Sequence, residues 1–386
     1  MIVAPVVTDG KLKPATLAAQ ALGTHDRRTG ALVPPLYSTS TFARDSSYAL
    51  PGQWSYGRPD NPTVESAEAV IAALEGGTAA MLFSTGMAAA TALFQSLKPG
   101  DHVVAPRIMY WALRKWLVEW SRAWGVTVDL VDMTDLAAAA AAVKPGRTRV
   151  LWIETPANPT WAVTDIAAVA RIAHEAGALL AADSTAATPI LTRPIEHGAD
   201  IVMHSATKYL NGHSDVLAGV LVAAEDTELW QRIVDVRDHG GAILGGFEGW
   251  LLLRGLRTLH IRVREASRSA QAIAEWCQGH PQIQEVLYPG LGNDPGHLVA
   301  RRQMSGGFGG MLSIRIRGGR EAALATAGRL KLWARATSLG GVESLVEHRA
   351  SIEGPGGVAP PDMLRLSVGI EDAGDLIADF DQALRV

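Results

Sequence analysis

One cysteine, Cys277, stands among 386 residues. That excludes an internal disulfide framework and a multi-cysteine zinc site, and it points to a reducing compartment. No stretch approaches the roughly 20 apolar residues of a membrane span. The opening MIVAPVVTDGKLKP lacks the charged start and long apolar run of an export signal, so a cytoplasmic protein with no membrane association is expected. Charge of one sign is scarce as well. The net formal charge of −4 gives no broad basic field, which makes nucleic acid a poor partner. No internal repeat is found, and no metal site is expected.

What is present is an ordinary globular composition, 48% hydrophobic and 19% charged, in a chain long enough for more than one domain. Residues 1–55 hold turn formers (Pro34, Pro35, Pro51, Gly52) and read as an irregular arm with one or two short helices. From residue 56 to 249 the pattern is α/β. Short apolar runs (AAMLF, HVVAP, VTVDLVD, RVLWIET, ALLAADS, DIVMHS, GVLVAA) alternate with helical stretches such as DIAAVARIAHEAG. That alternation predicts a mainly parallel sheet. The alanine tract Leu136–Val143 reads as a helix. Residues 250–386 form a smaller C-terminal α/β or α+β domain. It opens with what reads as one long helix, straight or kinked, GWLLLRGLRTLHIRVREASRSAQAIAEWCQ, and carries strands at GMLSIRIRG and MLRLSVGIE.

Ligand sites of parallel sheets lie at the carboxyl ends of the strands. The unusual residues fall there: Ser84–Met87, Tyr110, Glu154–Asn158, Asp183–Thr185 and Ser205–Lys208. A lysine in a dry pocket can lose its proton and attack an aldehyde, although a lone lysine is more often a surface one. Asp183 ends an apolar run; it either caps a turn or meets a pyridinium nitrogen. SerThrGlyMet is a tight turn or a phosphate cradle, with Ser205 and Thr207 as further donors. Tyr110 is a core aromatic or a ring stacked on a cofactor. Arg365 alternates with apolar neighbours, which suits a salt bridge or the capture of an amino-acid carboxylate. Together these make a toolkit for pyridoxal 5'-phosphate: aldehyde anchor, ring-nitrogen acid, phosphate cup, stacking ring and carboxylate clamp.

SATKYLNGHSD, with DSTAATP before it and YGRPDNPT, STGMAA, ETPANPT, SLGGVESL and LRLSVGIED elsewhere, resembles the Cys/Met-metabolism (trans-sulfuration) family of pyridoxal-phosphate enzymes. The resemblance implies a fold type I, aspartate-aminotransferase-like architecture and a homotetramer built from two active-site-sharing dimers. It implies that Lys208 holds the cofactor as a Schiff base, Asp183 meets the ring nitrogen and Tyr110 stacks on the ring. Ser84, Gly86, Met87, Thr185, Ser205 and Thr207 complete the cofactor site. Tyr56 and Arg58 reach the phosphate of the neighbouring subunit. Arg365, Asn158 and Ser338 take the substrate carboxylate, and Thr337 and Trp111 border the rest of the substrate.

The implied reaction is γ-elimination, with β-elimination as an extension, on a sulfur-containing or related amino acid. It yields a 2-oxo acid and ammonia, as in a cystathionine gamma-lyase. The alternatives are γ-replacement, as in cystathionine gamma-synthase or an O-acylhomoserine sulfhydrylase, and a lyase acting on a non-sulfur substituent. Three positions depart from the family pattern. Trp111 and Arg114 follow Tyr110 where small or polar residues are common. Thr337 stands where members handling cystathionine often carry glutamate or tyrosine. Arg349 replaces a usual proline and reads as a surface arginine or a second cation near the pocket. His204 and His213 are read as packing residues.

Overall fold

The structure, a computed structural model, describes residues 12–23, 25–26, 28–354 and 357–385. The beginning of the N-terminal arm, and with it most of the stretch read for an export signal, lies outside the described residues.

Seven strands form the larger sheet: β1 (Ala79–Phe83), β2 (His102–Pro106), β3 (Thr127–Val131), β4 (Thr148–Glu154), β5 (Leu179–Asp183), β6 (Ile201–His204) and β7 (Gly219–Ala223). Their order is β1-β7-β6-β5-β4-β2-β3. Only β7 opposes its neighbours; the others share one direction. The strands read as continuous apolar runs because helices cover both faces. Leu151 and Ile153 of β4 enter one core, and Val150 and Trp152 enter the other. Polar caps start the covering helices. Asn61 accepts from the amides of Thr63 and Val64 to start Pro62–Glu75, Asp135 caps the alanine helix Leu136–Ala142, and Asp165 caps Ile166–Glu175.

A second sheet is made of β8 (Ile283–Leu287), β9 (Met311–Ile316), β10 (Ala334–Arg335), β11 (Leu345–His348) and β12 (Met363–Ser367), ordered β10-β11-β12-β9-β8. It is antiparallel except for the pair β10–β11. One face buries Leu312, Ile314, Val346, Leu364 and Leu366 with Trp333 and Phe380. The period of two sends Ser313, Glu347 and Arg365 to the opposite face. There Arg365 stands directly across from Glu347 on one side and Ser313 on the other. Trp161 Nε1 donates to Ser313 Oγ at 2.9 Å, and that hydroxyl donates to Pro159 O at 2.7 Å. The polar face of the small sheet is thus tied to the loop that follows β4.

The long helix expected after Gly249, straight or kinked, is broken into two, Gly246–Leu256 and Leu259–Gln278. The expected boundary at 249/250 falls inside the first, and the turn comes at Arg257 and Thr258. Buried Arg262 accounts for the break. Its guanidinium donates to Gly255 O at 2.7 Å and to Thr258 Oγ1 at 3.0 Å, taking a carbonyl at the end of the first helix. The same guanidinium donates to Tyr209 O at 2.8 Å. A Cβ at Gly255 would lie 2.4 Å from Asn211 O. This junction therefore seats the loop that carries Lys208.

His204, read as a packing residue, is fully buried and shares a 2.5 Å hydrogen bond with Glu75. The bond fastens β6 to the helix Pro62–Glu75. Replacing His204 by alanine strands a buried carboxyl group, and the expected loss is about 3 kcal/mol of unfolding free energy. Urea denaturation of the two proteins measures it.

Candidate active site

A cavity of about 450 Å³ opens at the carboxyl ends of β2, β4, β5 and β6 and is closed on its far side by β11 and β12. Most residues singled out in the sequence line it: Gly86, Met87, Tyr110, Trp111, Asn158, Asp183, Thr185, Ser205, Thr207, Lys208, Thr337, Ser338 and Arg365. Ser84 does not; its amide donates to Ala242 O. Arg114 also lies outside the lining, one turn along the helix Trp111–Trp124. Tyr56 and Arg58 are elsewhere in the chain, with the Arg58 guanidinium over the Tyr56 ring at 5.5 Å.

Lys208 Nζ donates to Ser338 Oγ at 2.8 Å. Burial, assisted by the positive charge of Arg365, lowers its pKa from the ordinary 10.5 to about 8, against the opposing pull of Glu347. The free amine therefore appears as pH rises through about 8. Capture of pyridoxal phosphate by cofactor-free protein is expected to accelerate to a plateau above that pH. A stopped-flow titration whose midpoint fell near 10.5 would describe an ordinary exposed lysine.

Asp183 is buried at the end of β5. Its Oδ1 accepts from the Thr185 amide at 3.0 Å and the Thr185 hydroxyl at 2.6 Å, while Oδ2 has no partner among the described residues. Burial pushes its pKa up, the behaviour of a carboxylate in need of a cation. The Ser205 amide donates to Thr185 Oγ1 at 2.9 Å, so one chain of bonds links Asp183 to the loop holding Lys208. Thr207 spends its hydroxyl on Ala218, donating to its carbonyl at 3.1 Å and accepting from its amide at 2.9 Å.

The helix Gly86–Gln95 starts at the cavity wall, where its first-turn amides have no partner inside the helix. A Cβ at residue 86 would sit 2.7 Å from Ser205 Oγ, so glycine lets the helix start and the Ser205 loop close on each other. Across the cavity, Arg365 Nη2 donates to Ser338 O at 2.7 Å and pairs with Glu347 Oε2 at 2.9 Å; its Nη1 donates to Asn158 Oδ1 at 3.4 Å. Ser338 adopts φ 101°, a costly conformation for a serine, which aims its hydroxyl at the lysine and its carbonyl at the arginine.

Two participants, Glu347 and Arg262, were not singled out in the sequence, and a third, Glu154, was placed at a strand end without a role. Glu154 accepts from the amides of Tyr110 at 2.7 Å and Asn158 at 2.8 Å, fixing both loops; burial and the Asp183 carboxylate push its pKa up. Its place beside Asn158 in ETPANPT was the available signal. Glu347 is legible only through the register of β11 on β12. Arg262 acts through the loop it seats. Arg349, left between surface and pocket, is buried and lines the cavity.

A buried lysine of lowered basicity, a buried acid with a free oxygen, a helix-start anion cradle and an arginine clamp, on this fold, define an enzyme that uses pyridoxal phosphate. The chain belongs to the Cys/Met metabolism PLP-dependent enzymes, whose family model matches residues 15–385. It is 45% identical over 377 residues to the cystathionine gamma-synthase of Mycobacterium tuberculosis (strain ATCC 25618 / H37Rv), covering 96% of each chain. It is 42% identical over 374 residues to the L-methionine gamma-lyase of Pseudomonas deceptionensis, covering 92% of this chain and 93% of that one. The crystal structure of metB from Corynebacterium glutamicum superposes with a TM-score of 0.94 at 40% identity, over 98% of this chain and 99% of that one. The protein is accordingly an enzyme of the lyase or transferase kind in amino-acid metabolism. Among the described residues no helix is long and apolar enough to cross a membrane.

Proposed function

We propose that the protein removes the γ-substituent of an amino acid, releasing a 2-oxo acid and ammonia as a cystathionine gamma-lyase does, with β-elimination as a related capacity. The observation that carries this reading is the meeting of Lys208 and Arg365 at Ser338, one on its hydroxyl and one on its carbonyl. A substrate carboxylate held by Arg365, with Asn158 and Ser338 beside it, brings the α- and β-carbons next to the same amine. Bound pyridoxal phosphate supplies the electron sink that makes the α-proton removable. Lys208 Nζ would take that proton, pass it to the bound cofactor and, once more a free amine, take the β-proton, as γ-chemistry requires. The Tyr110 phenol delivers a proton to the departing group. Asp183 would hold the proton on the ring nitrogen, with Thr185 fixing its Oδ1.

In this reading the amides of Gly86 and Met87 and the hydroxyl of Ser205 would cradle the phosphate, with Thr207 alongside and Ser84 at the turn before them. Thr207 gives both its amide and its hydroxyl to Ala218 O, so it would serve the cradle by its position and not as a donor. Tyr56 and Arg58 serve the neighbouring subunit's site in a homotetramer of active-site-sharing dimers. Supporting this, Leu32, Val33, Leu36, Tyr37 and Tyr48 of the arm are exposed in the single chain. The proposed compartment is the cytoplasm.

Replacement by a thiol is the second reading, favoured by the 45% identity to a cystathionine gamma-synthase. Thr337 offers no carboxylate to a distal ammonium, which also favours a leaving group other than cystathionine's, sulfur or not. The decisive assay follows 2-oxo acid and ammonia from cystathionine, methionine, homocysteine, cysteine, O-acetyl-L-homoserine and canavanine, with and without added cysteine. Elimination predicts 2-oxo acid without a thiol acceptor. Consumption of substrate only when cysteine is present, with a thioether product, would replace elimination by replacement.

A further inference from the structure

We propose that Arg349 is a specificity-determining residue whose spare guanidinium edge binds a neutral oxygen acceptor, such as an ester carbonyl, on the γ-substituent of the substrate. The proposal rests on the reading of the site as one for γ-substituted amino acids. Arg349 follows β11 directly and begins the short helix Arg349–Glu353. It is only 2% exposed, yet it lines the cavity that holds Lys208 and Arg365. Nη1 donates to Glu347 Oε2 at 3.0 Å and Nε to Glu353 Oε1 at 2.9 Å. Nη2 is buried and has no hydrogen-bond partner among the described residues. A buried charged donor without an acceptor is costly, and a ligand atom that supplied one would recover that cost.

The charge of the acceptor follows from the neighbours. Arg349 and Arg365 are matched one for one by Glu347 and Glu353, in a buried chain of ion pairs. The α-carboxylate of any amino-acid substrate adds one negative charge to this cluster. A second anion on the tail would add another beside two carboxylates already paired, in surroundings that screen charge poorly. A carbonyl oxygen satisfies the spare N–H without that repulsion. The remaining walls agree: Trp111, Leu217 and Ile352 are apolar, and Thr337 brings a hydroxyl. A short uncharged acyl group fits these surroundings better than a succinyl tail or a distal ammonium.

The test compares substrates with one amino-acid head and different tails: O-acetyl-L-homoserine, O-succinyl-L-homoserine and L-methionine, which has no oxygen acceptor in its tail. The variants are Arg349→Met combined with Glu353→Gln, which preserves the charge balance, and Arg349→Lys, which keeps the cation but loses the fork. The cofactor's visible absorption reports that each is assembled. Wild-type holoenzyme is expected to prefer the acetyl over the succinyl ester in kcat/KM. In both variants KM for the acetyl ester is expected to rise, by roughly 10- to 100-fold in the double variant, the worth of one hydrogen bond to a charged group. Turnover of methionine should change less than about threefold. Equal losses on the acetyl ester and methionine, or none on the acetyl ester, would overturn the assignment of Arg349 while leaving the proposed function intact. Wild-type holoenzyme that transforms none of the three overturns both.

Discussion

Lys208→Ala protein supplied with pyridoxal phosphate is expected to lose turnover by roughly 10⁴-fold or more, the full contribution of a positioned acid–base group. Two functions vanish with one amine: the covalent anchor and the carrier of the α- and β-protons. The structure explains why no neighbour substitutes. Lys208 is the lysine that lines the cavity, and Ser338, its hydrogen-bond partner, has no basic group to offer. The fold should survive, because Arg262 seats the loop through the carbonyls of Tyr209 and Leu210 and not through the lysine side chain. The checks are steady-state kinetics, the cofactor's visible band, which should lose the signature of a lysine-bound aldehyde, and urea denaturation. Substantial activity in a folded variant would remove Lys208 from the chemistry.

Asp183→Asn is expected to lower kcat by roughly 10²- to 10³-fold with a smaller change in KM, the size of effect that follows loss of one member of a buried charge pair. The amide keeps the shape of the side chain and can still accept from Thr185. What it cannot do is hold a proton on a ring nitrogen by opposite charge. The sign of the pH effect separates charge from packing. With Asp183 in place, its buried carboxylate favours the protonated ring, so the cofactor's ring nitrogen should keep its proton well into the alkaline range. In the variant that proton should be lost at lower pH. Spectral titration of both proteins follows it. A variant with wild-type kcat, or an unchanged spectral titration, would make Asp183 a turn residue and nothing more.

The larger sheet was legible because its strands are short apolar runs, each followed by small or polar residues. Asp183, Lys208 and Tyr110 announce themselves at such ends. Arg365 was legible for a related reason: alternation on β12 fixes its face without knowledge of any partner. Glu347 was not, since its place beside Arg365 depends on how two distant strands register. A kink in the helix after Gly249 was open to the sequence but its place at Thr258 was not, because nothing local demands it; a guanidinium four residues further on takes the carbonyl of Gly255. Arg349 was ambiguous because burial is a tertiary property. Only the pairing with Glu347 and Glu353 makes a buried cation tolerable there. Thr207 shows the opposite error of emphasis: the residue type fits a phosphate ligand, but its hydroxyl is engaged by Ala218.

The central claim is that Lys208, and no other lysine, holds the cofactor's aldehyde. Borohydride reduction of the holoenzyme makes that linkage permanent, and peptide mass spectrometry locates it. The account predicts a single pyridoxyl label on the peptide that contains MHSATKYLNGHSD, at Lys208. A label on a different lysine, or a reduced protein with no label at all, would contradict it.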